Sequence, residues 1–203
     1  MILKDGEEEA YIRAMTGEFA AQLHVRMPEV RFVNSSAPCG YDPLFNRIEL
    51  GHAILGLPSS IVRVIVAHEV GHAMQRKALL REMVTHGLGK GLIVAVPWLL
   101  YAWMPHQKAW DIVIPVAAFV VAYGLYVSSA PARESNHGVA LQVEADRSAA
   151  LLCGSEPTLR ALETLSTCTR IRPERLEALR ARVAHEQHPV DASQKPGGDN
   201  CGY

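Results

Sequence analysis

The residues most able to do chemistry in this chain are His68, Glu69 and His72, within the run VIVAHEVGHAM at positions 64 to 74. On an α-helix, positions i and i+4 lie one turn apart on the same face, so both imidazoles can reach one metal ion. The intervening glutamate then stands beside a water near the metal rather than on the metal, in position to act as a base. The spacing therefore predicts a zinc hydrolase, with Zn2+ as cofactor, His68 and His72 as metal ligands and Glu69 as the catalytic residue. Peptide-bond hydrolysis on a polypeptide substrate is the reaction this motif points to.

The bland alternative is a core helix whose histidines are satisfied by hydrogen bonds, since the bare pattern also arises by chance. The surrounding residues argue against it. Ile61, Val62, Val64, Ile65 and Val66 make the helix apolar almost all round, which predicts burial on several sides. Two histidines and a glutamate inside such a helix need partners, and a metal supplies them. Gly71, between the histidines, permits close approach of another backbone.

A catalytic zinc uses three protein ligands and a water, so a third ligand must come from elsewhere. Glu144 is the choice, on the helical pattern VALQVEADRSAALL at residues 139 to 152. The competitors are His86, Glu134, His137 and Asp146. His86 requires the chain to fold back at once, while Glu134 and His137 lie in a turn-like stretch where solvated residues are expected. Asp146, two residues beyond Glu144, points well away from it on a helix. It is either an orienting residue or part of a charged outer face with Arg147. Ser148, one turn after Glu144, is placed to hydrogen-bond that carboxylate or a histidine from behind the ligands.

Other elements must position these groups. An amphipathic helix over residues 7 to 24 is followed by a strand from Glu29 to Val33, a turn-rich NSSAPCGYDP segment and a second strand from Phe45 to Leu50. That second strand offers an edge on which an extended substrate can pair. Leu57-Pro58-Ser59-Ser60 starts the central helix, expected from about Ser60 to Val84 with serine at the cap. Two further amphipathic helices begin near Thr158 and Arg175, and HPVDASQKPGGDNCGY reads as a flexible tail.

Between the motif and Glu144 lie two uncharged runs, Gly91 to Pro105 and Ile112 to Ala130, joined by HQKAWD. A membrane helix needs about 20 apolar residues, with a lower limit near 17. The second run meets this and the first falls slightly short unless Lys90 snorkels. Trp103 and Trp110 flank the link, as rings at a membrane interface do. The alternative is a helical hairpin buried in a soluble protein. Arg76, Lys77, Arg81 and Lys90 precede the hairpin and Arg133 and Arg147 follow it, whereas the link holds only Lys108, so both flanks are expected on the cytoplasmic side. Two crossings return the chain to the side it left, which lets Glu144 meet the histidines.

Composition narrows the partners. A formal net charge of −1 gives no electrostatic case for nucleic acid. Four scattered cysteines with no CxxC pair suggest neither a cysteine-zinc site nor a disulfide framework. The acidic N-terminus MILKDGEEEAYIRAM does not read as a signal peptide.

The run from Tyr41 to Gln75, followed by an apolar hairpin and QVEADRSAA, resembles the YugP-type membrane zinc metallopeptidases and is more distantly similar to the HtpX-type gluzincins. The resemblance covers roughly residues 10 to 152. It implies His68 and His72 as ligands, Glu69 as catalytic glutamate, Glu144 as the glutamate ligand of a PVEFNAS-like motif and Ser148 at its serine. The chain departs from that family in lacking an initial membrane helix and in a charged, amphipathic C-terminal part. The expected fold is α+β and mostly helical, a zincin-like (minigluzincin) catalytic core with an inserted two-helix transmembrane hairpin. Residues 1–87 and 131–188 form the two parts of the catalytic domain, 88–130 the hairpin and 189–203 the tail. The expected location is the inner cell membrane, multi-pass, with the catalytic domain facing the cytoplasm. A zinc-stabilised adaptor without catalysis is the competing function.

Overall fold

The computed structural model describes residues 5–34, 39–103 and 110–187, leaving aside the side chains of residues 5, 110, 111 and 125–137. The expected tail and the link residues 104 to 109 lie outside the described residues, as do the side chains of Arg133, Glu134 and His137. The chain is mostly helical with one small sheet, in the order α1 (Asp5–Gln22), β1 (Glu29–Val33), β2 (Cys39–Asp42), β3 (Arg47–Gly51), a 3-10 turn (His52–Gly56), α2 (Ser59–Met74), α3 (Arg76–Trp103), α4 (Trp110–Cys153), α5 (Ser155–Ser166) and α6 (Pro173–Gln187).

The sheet has the order β1-β3-β2, with β1 parallel and β2 antiparallel to β3. The strand expected to offer an edge to substrate, now β3, is therefore the central one, with both sides paired. The edge strands are β1 and β2, and β2 falls in the turn-rich segment because its CGYD has no alternation to mark a strand. Asp42 Oδ1 accepts the backbone N–H groups of Leu44 and Phe45, and Asn46 turns through φ 53° to lead into β3. Tyr41 donates its hydroxyl to Asn46 Oδ1 at 2.7 Å. The Tyr41-Asp42-Pro43 stretch thus builds a hairpin.

The core lies between the sheet, α1 and α2 on one side and α4 to α6 on the other. Phe19, Ile48, Leu50, Ile54, Val66 and Val70 are among its fully buried side chains. Helix α2 has nearly every residue from Ile61 to Ala73 buried, in keeping with its apolar circumference. Pro58 takes the cap position, and no serine side chain caps the helix.

The long helix expected to reach Val84 breaks at Gln75, whose ψ of 7° ends α2 and lets α3 start one residue later. No glycine or proline marks that break. Its anchors are tertiary: the Gln75 amide donates to Leu141 O at 3.0 Å, and the Arg76 guanidinium donates to the carbonyls of Pro43 and Leu44. A second difference is that α4 runs unbroken for 44 residues, joining the second apolar run to the stretch that carries Glu144. Neither 87/88 nor 130/131 is a boundary between elements. Helices α3 and α4 pack together away from the sheet, and most of their apolar side chains, such as Leu92, Trp98, Ile112 and Val120, are exposed. One described helix, Arg76–Trp103, is long and apolar enough to cross a membrane, and Ile112–Gly124 is a shorter apolar stretch within α4.

Candidate metal centre

His68, Glu69 and His72 are brought together by α2 alone. The two imidazoles stand edge to face, their centroids 4.7 Å apart, and all three side chains are buried. Against them packs α4, and the crossing is tight. A Cβ on Gly71 would come within 2.9 Å of Ser148 Cβ and 3.1 Å of the Ala145 backbone. Only a glycine lets α4 approach so closely.

The residue that α4 presents to the histidines is Gln142. Its Oε1 lies 3.0 Å from His68 Nε2, and its Nε2 lies 3.3 Å from His72 Nε2. One turn later Asp146 stands behind His68, with Oδ1 2.8 Å from Nδ1, although the ring N–H does not point squarely at the oxygen. Arg175, from α6, grips the same carboxylate through two hydrogen bonds of 2.6 and 2.7 Å. These bonds and the nearby His68 hold the Asp146 carboxyl below its ordinary range despite burial. The chain Arg175–Asp146–His68 fixes one imidazole from behind, the usual support of a metal-ligating histidine.

Glu144 is not part of this cluster. Its side chain is more than half exposed and lies 3.8 Å from Arg147, on the solvent side of α4. Two residues separate it from both Gln142 and Asp146, about 200° of helix rotation, so a face that carries those two cannot carry Glu144. Ser148 is buried, but its hydroxyl donates to the Glu144 carbonyl at 3.1 Å and rests near Met74 sulfur rather than reaching a histidine or a carboxylate. His86 lies on α3, about three turns past Gln75. Among the described residues, no three of His, Cys, Asp and Glu converge as a metal-binding group; the third side chain beside the histidines is an amide.

Burial sets the protonation of the site. It raises the Glu69 carboxyl above its ordinary value, opposed by His68, and leaves Oε2 buried without a hydrogen-bond partner. His72 is pushed down to about 4, chiefly by burial and then by His68, so its imidazole is neutral. From β2 the Cys39 thiol interacts with the Glu69 carboxylate, and burial together with that negative neighbour pushes the thiol well up, which keeps it protonated. A cleft of about 380 Å³ opens over these groups, floored by His68, Glu69, His72 and Gln142 and walled by Cys39–Tyr41 of β2 and by apolar residues such as Leu162 and Ile171.

Sequence reading missed Gln142, Arg175, Cys39 and Gln75. The i, i+4 spacing of Gln142 and Asp146 was the available signal, because it repeats on α4 the spacing of the two histidines on α2. No family model matches the chain, and no curated protein and no solved structure is detectably similar to it.

Proposed function

We propose that this protein is a membrane-anchored, zinc-dependent endopeptidase in which Glu69 is the general base. The observation that carries the reading is a buried carboxylate oxygen with no partner, on the residue between two histidines whose Nε2 atoms face the same amide. A purely structural site has no use for that oxygen. The donor set suits zinc: two imidazole nitrogens on one helical face, one of them backed by a carboxylate. His68 and His72 would hold the ion, which supplies Lewis acidity to a carbonyl oxygen and to a water.

The chain's own residues perform the rest. Burial raises the proton affinity of Glu69, so Oε2 takes a proton from water near neutral pH and later returns it to the leaving amine. Asp146 and Arg175 keep His68 oriented, and burial keeps His72 uncharged. The free edge of β2 can pair with an extended polypeptide and lay its backbone across the cleft, a mode that selects backbone over side chain. The exposed apolar surfaces of α3 and α4 supply the membrane anchor, both helix ends near the site facing the cytoplasm. That placement favours substrates at or in the bilayer.

The test is Glu69→Gln, which preserves shape and removes the base. Cleavage of casein or of a membrane-protein substrate should fall by at least about 100-fold, while zinc content stays at the wild-type level. Cleavage by this variant at the wild-type rate overturns the mechanism.

A further inference from the structure

We infer that the third protein donor to the His68–His72 pair is the side-chain amide of Gln142, so that the metal site is built from uncharged groups alone. The inference rests on the zinc reading above and concerns which residue completes it.

Geometry carries the argument. Gln142 is the α4 side chain that faces both imidazoles, with its Oε1 3.0 Å from His68 Nε2 and its Nε2 3.3 Å from His72 Nε2. Asp146, gripped by Arg175 through both oxygens, stands 2.8 Å from the opposite nitrogen of His68, so the Nε2 side is the one turned to the amide. Rotating the amide by 180° exchanges oxygen and nitrogen, so its oxygen can be turned to either ring. A cation held by the two Nε2 atoms would find that oxygen within reach as its third protein donor.

Glu144 cannot replace Gln142 without turning α4 by about half a revolution, which the tight contact of Gly71 with Ala145 and Ser148 forbids. The chemical consequence is a dication that keeps its full charge among its protein ligands. Glu69 lines the same cleft, as the base beside the ion rather than one of its ligands. Such a site binds zinc more weakly than one with a carboxylate ligand and polarises what it binds more strongly.

The experiment uses the full chain purified in detergent and titrated with Zn2+, and with Co2+, whose visible absorption reports its ligands. The wild type should bind one equivalent, and His68→Ala and His72→Ala should lose it. Gln142→Leu should weaken zinc by about tenfold or more and change the cobalt spectrum, while Gln142→Glu, which supplies charge from the same position, should bind more tightly than wild type by a similar factor. Glu144→Ala should match the wild type. A wild type that binds no metal overturns the zinc reading and this one with it. Binding that needs the histidines but is indifferent to both Gln142 variants, or that is lost in Glu144→Ala, overturns the Gln142 assignment alone. Gln142→Glu guards the result if Gln142→Leu fails to fold, since it keeps the shape of the side chain.

Discussion

His72 carries the clearest pH signature of the site at the scale of single residues. Its folded pKa of about 4 lies below the ordinary 6.5, so the unfolded chain takes up a proton that the folded chain refuses. The stability that His72 contributes is therefore complete above about pH 6.5 and is lost as the pH falls towards 4, an effect of about 3 kcal/mol. Glu69, raised by burial, acts in the opposite sense, because its folded form holds the proton longer and its cost grows as the pH rises above its ordinary 4.5. Because Glu69 opposes it, the His72 contribution is read as a difference: in urea unfolding of the metal-free protein, stability at pH 4 relative to pH 7 should be lower in the wild type than in His72→Gln. An unchanged slope in the variant means His72 is not held neutral. The motif residues were legible in the sequence because their spacing is local to one helix. The proposed third donor was not, because the buried residues of α4, Ala145, Asp146, Ser148, Ala149 and Ala150, are small or polar and form no apolar stripe that separates the side of Gln142 from that of Glu144. A carboxylate was preferred on chemical grounds, and the face it occupies is the exposed one.

At the scale of elements, the site depends on the crossing of α2 and α4, since one helix carries the histidines and the other Gln142 and Asp146. Gly71 sets the separation of that crossing. In Gly71→Ala the new methyl meets Ser148 Cβ at 2.9 Å and the Ala145 backbone at 3.1 Å, and because backbone cannot rotate away, the helices must part. The expected cost is about 1–3 kcal/mol of stability in chemical denaturation, with zinc affinity reduced in the same variant because Gln142 moves with α4. Wild-type stability together with wild-type affinity would refute the tight crossing. Among the elements, β1, β3 and the amphipathic helices were legible from periodicity, but β2 and the break at Gln75 were not. Cys39–Asp42 has no alternation to betray a strand, and it is held by pairing with β3 and by the hairpin bonds of Asp42 and Asn46. The break is fixed by Leu141, Pro43 and Leu44, residues distant in sequence from the helix they interrupt. Both omissions matter for function, since β2 brings Cys39 and a free edge to Glu69.

At the scale of the molecule, α3 and α4 form an apolar pair that leaves the packed core, and the site lies near the ends where they rejoin it. Helix α3 has its charged residues, Arg76, Lys77, Arg81, Glu82 and Lys90, before Gly91, and no charge from Gly91 to Trp103. Trp98 and Trp103 are 68% and 87% exposed, together with Leu88, Leu92, Val94 and Leu99. A buried hairpin would have its apolar side chains covered by the rest of the chain, yet only 6% of the most apolar window of α3 is buried. So large an apolar surface among the described residues is what the proposed anchor accounts for. Its charge distribution favours lipid, with cations near the site and uncharged, tryptophan-bearing turns away from it. After alkaline carbonate washing, the expressed protein should stay with the membrane pellet, and Val94→Lys with Leu99→Lys, two changes at exposed apolar positions of α3, should release a substantial fraction into the wash. Release of the wild type by carbonate overturns the anchor while leaving the proposed metal centre as it stands, because His68, Glu69, His72, Gln142, Asp146 and Arg175 lie in α2, α4 and α6 outside the apolar stretches.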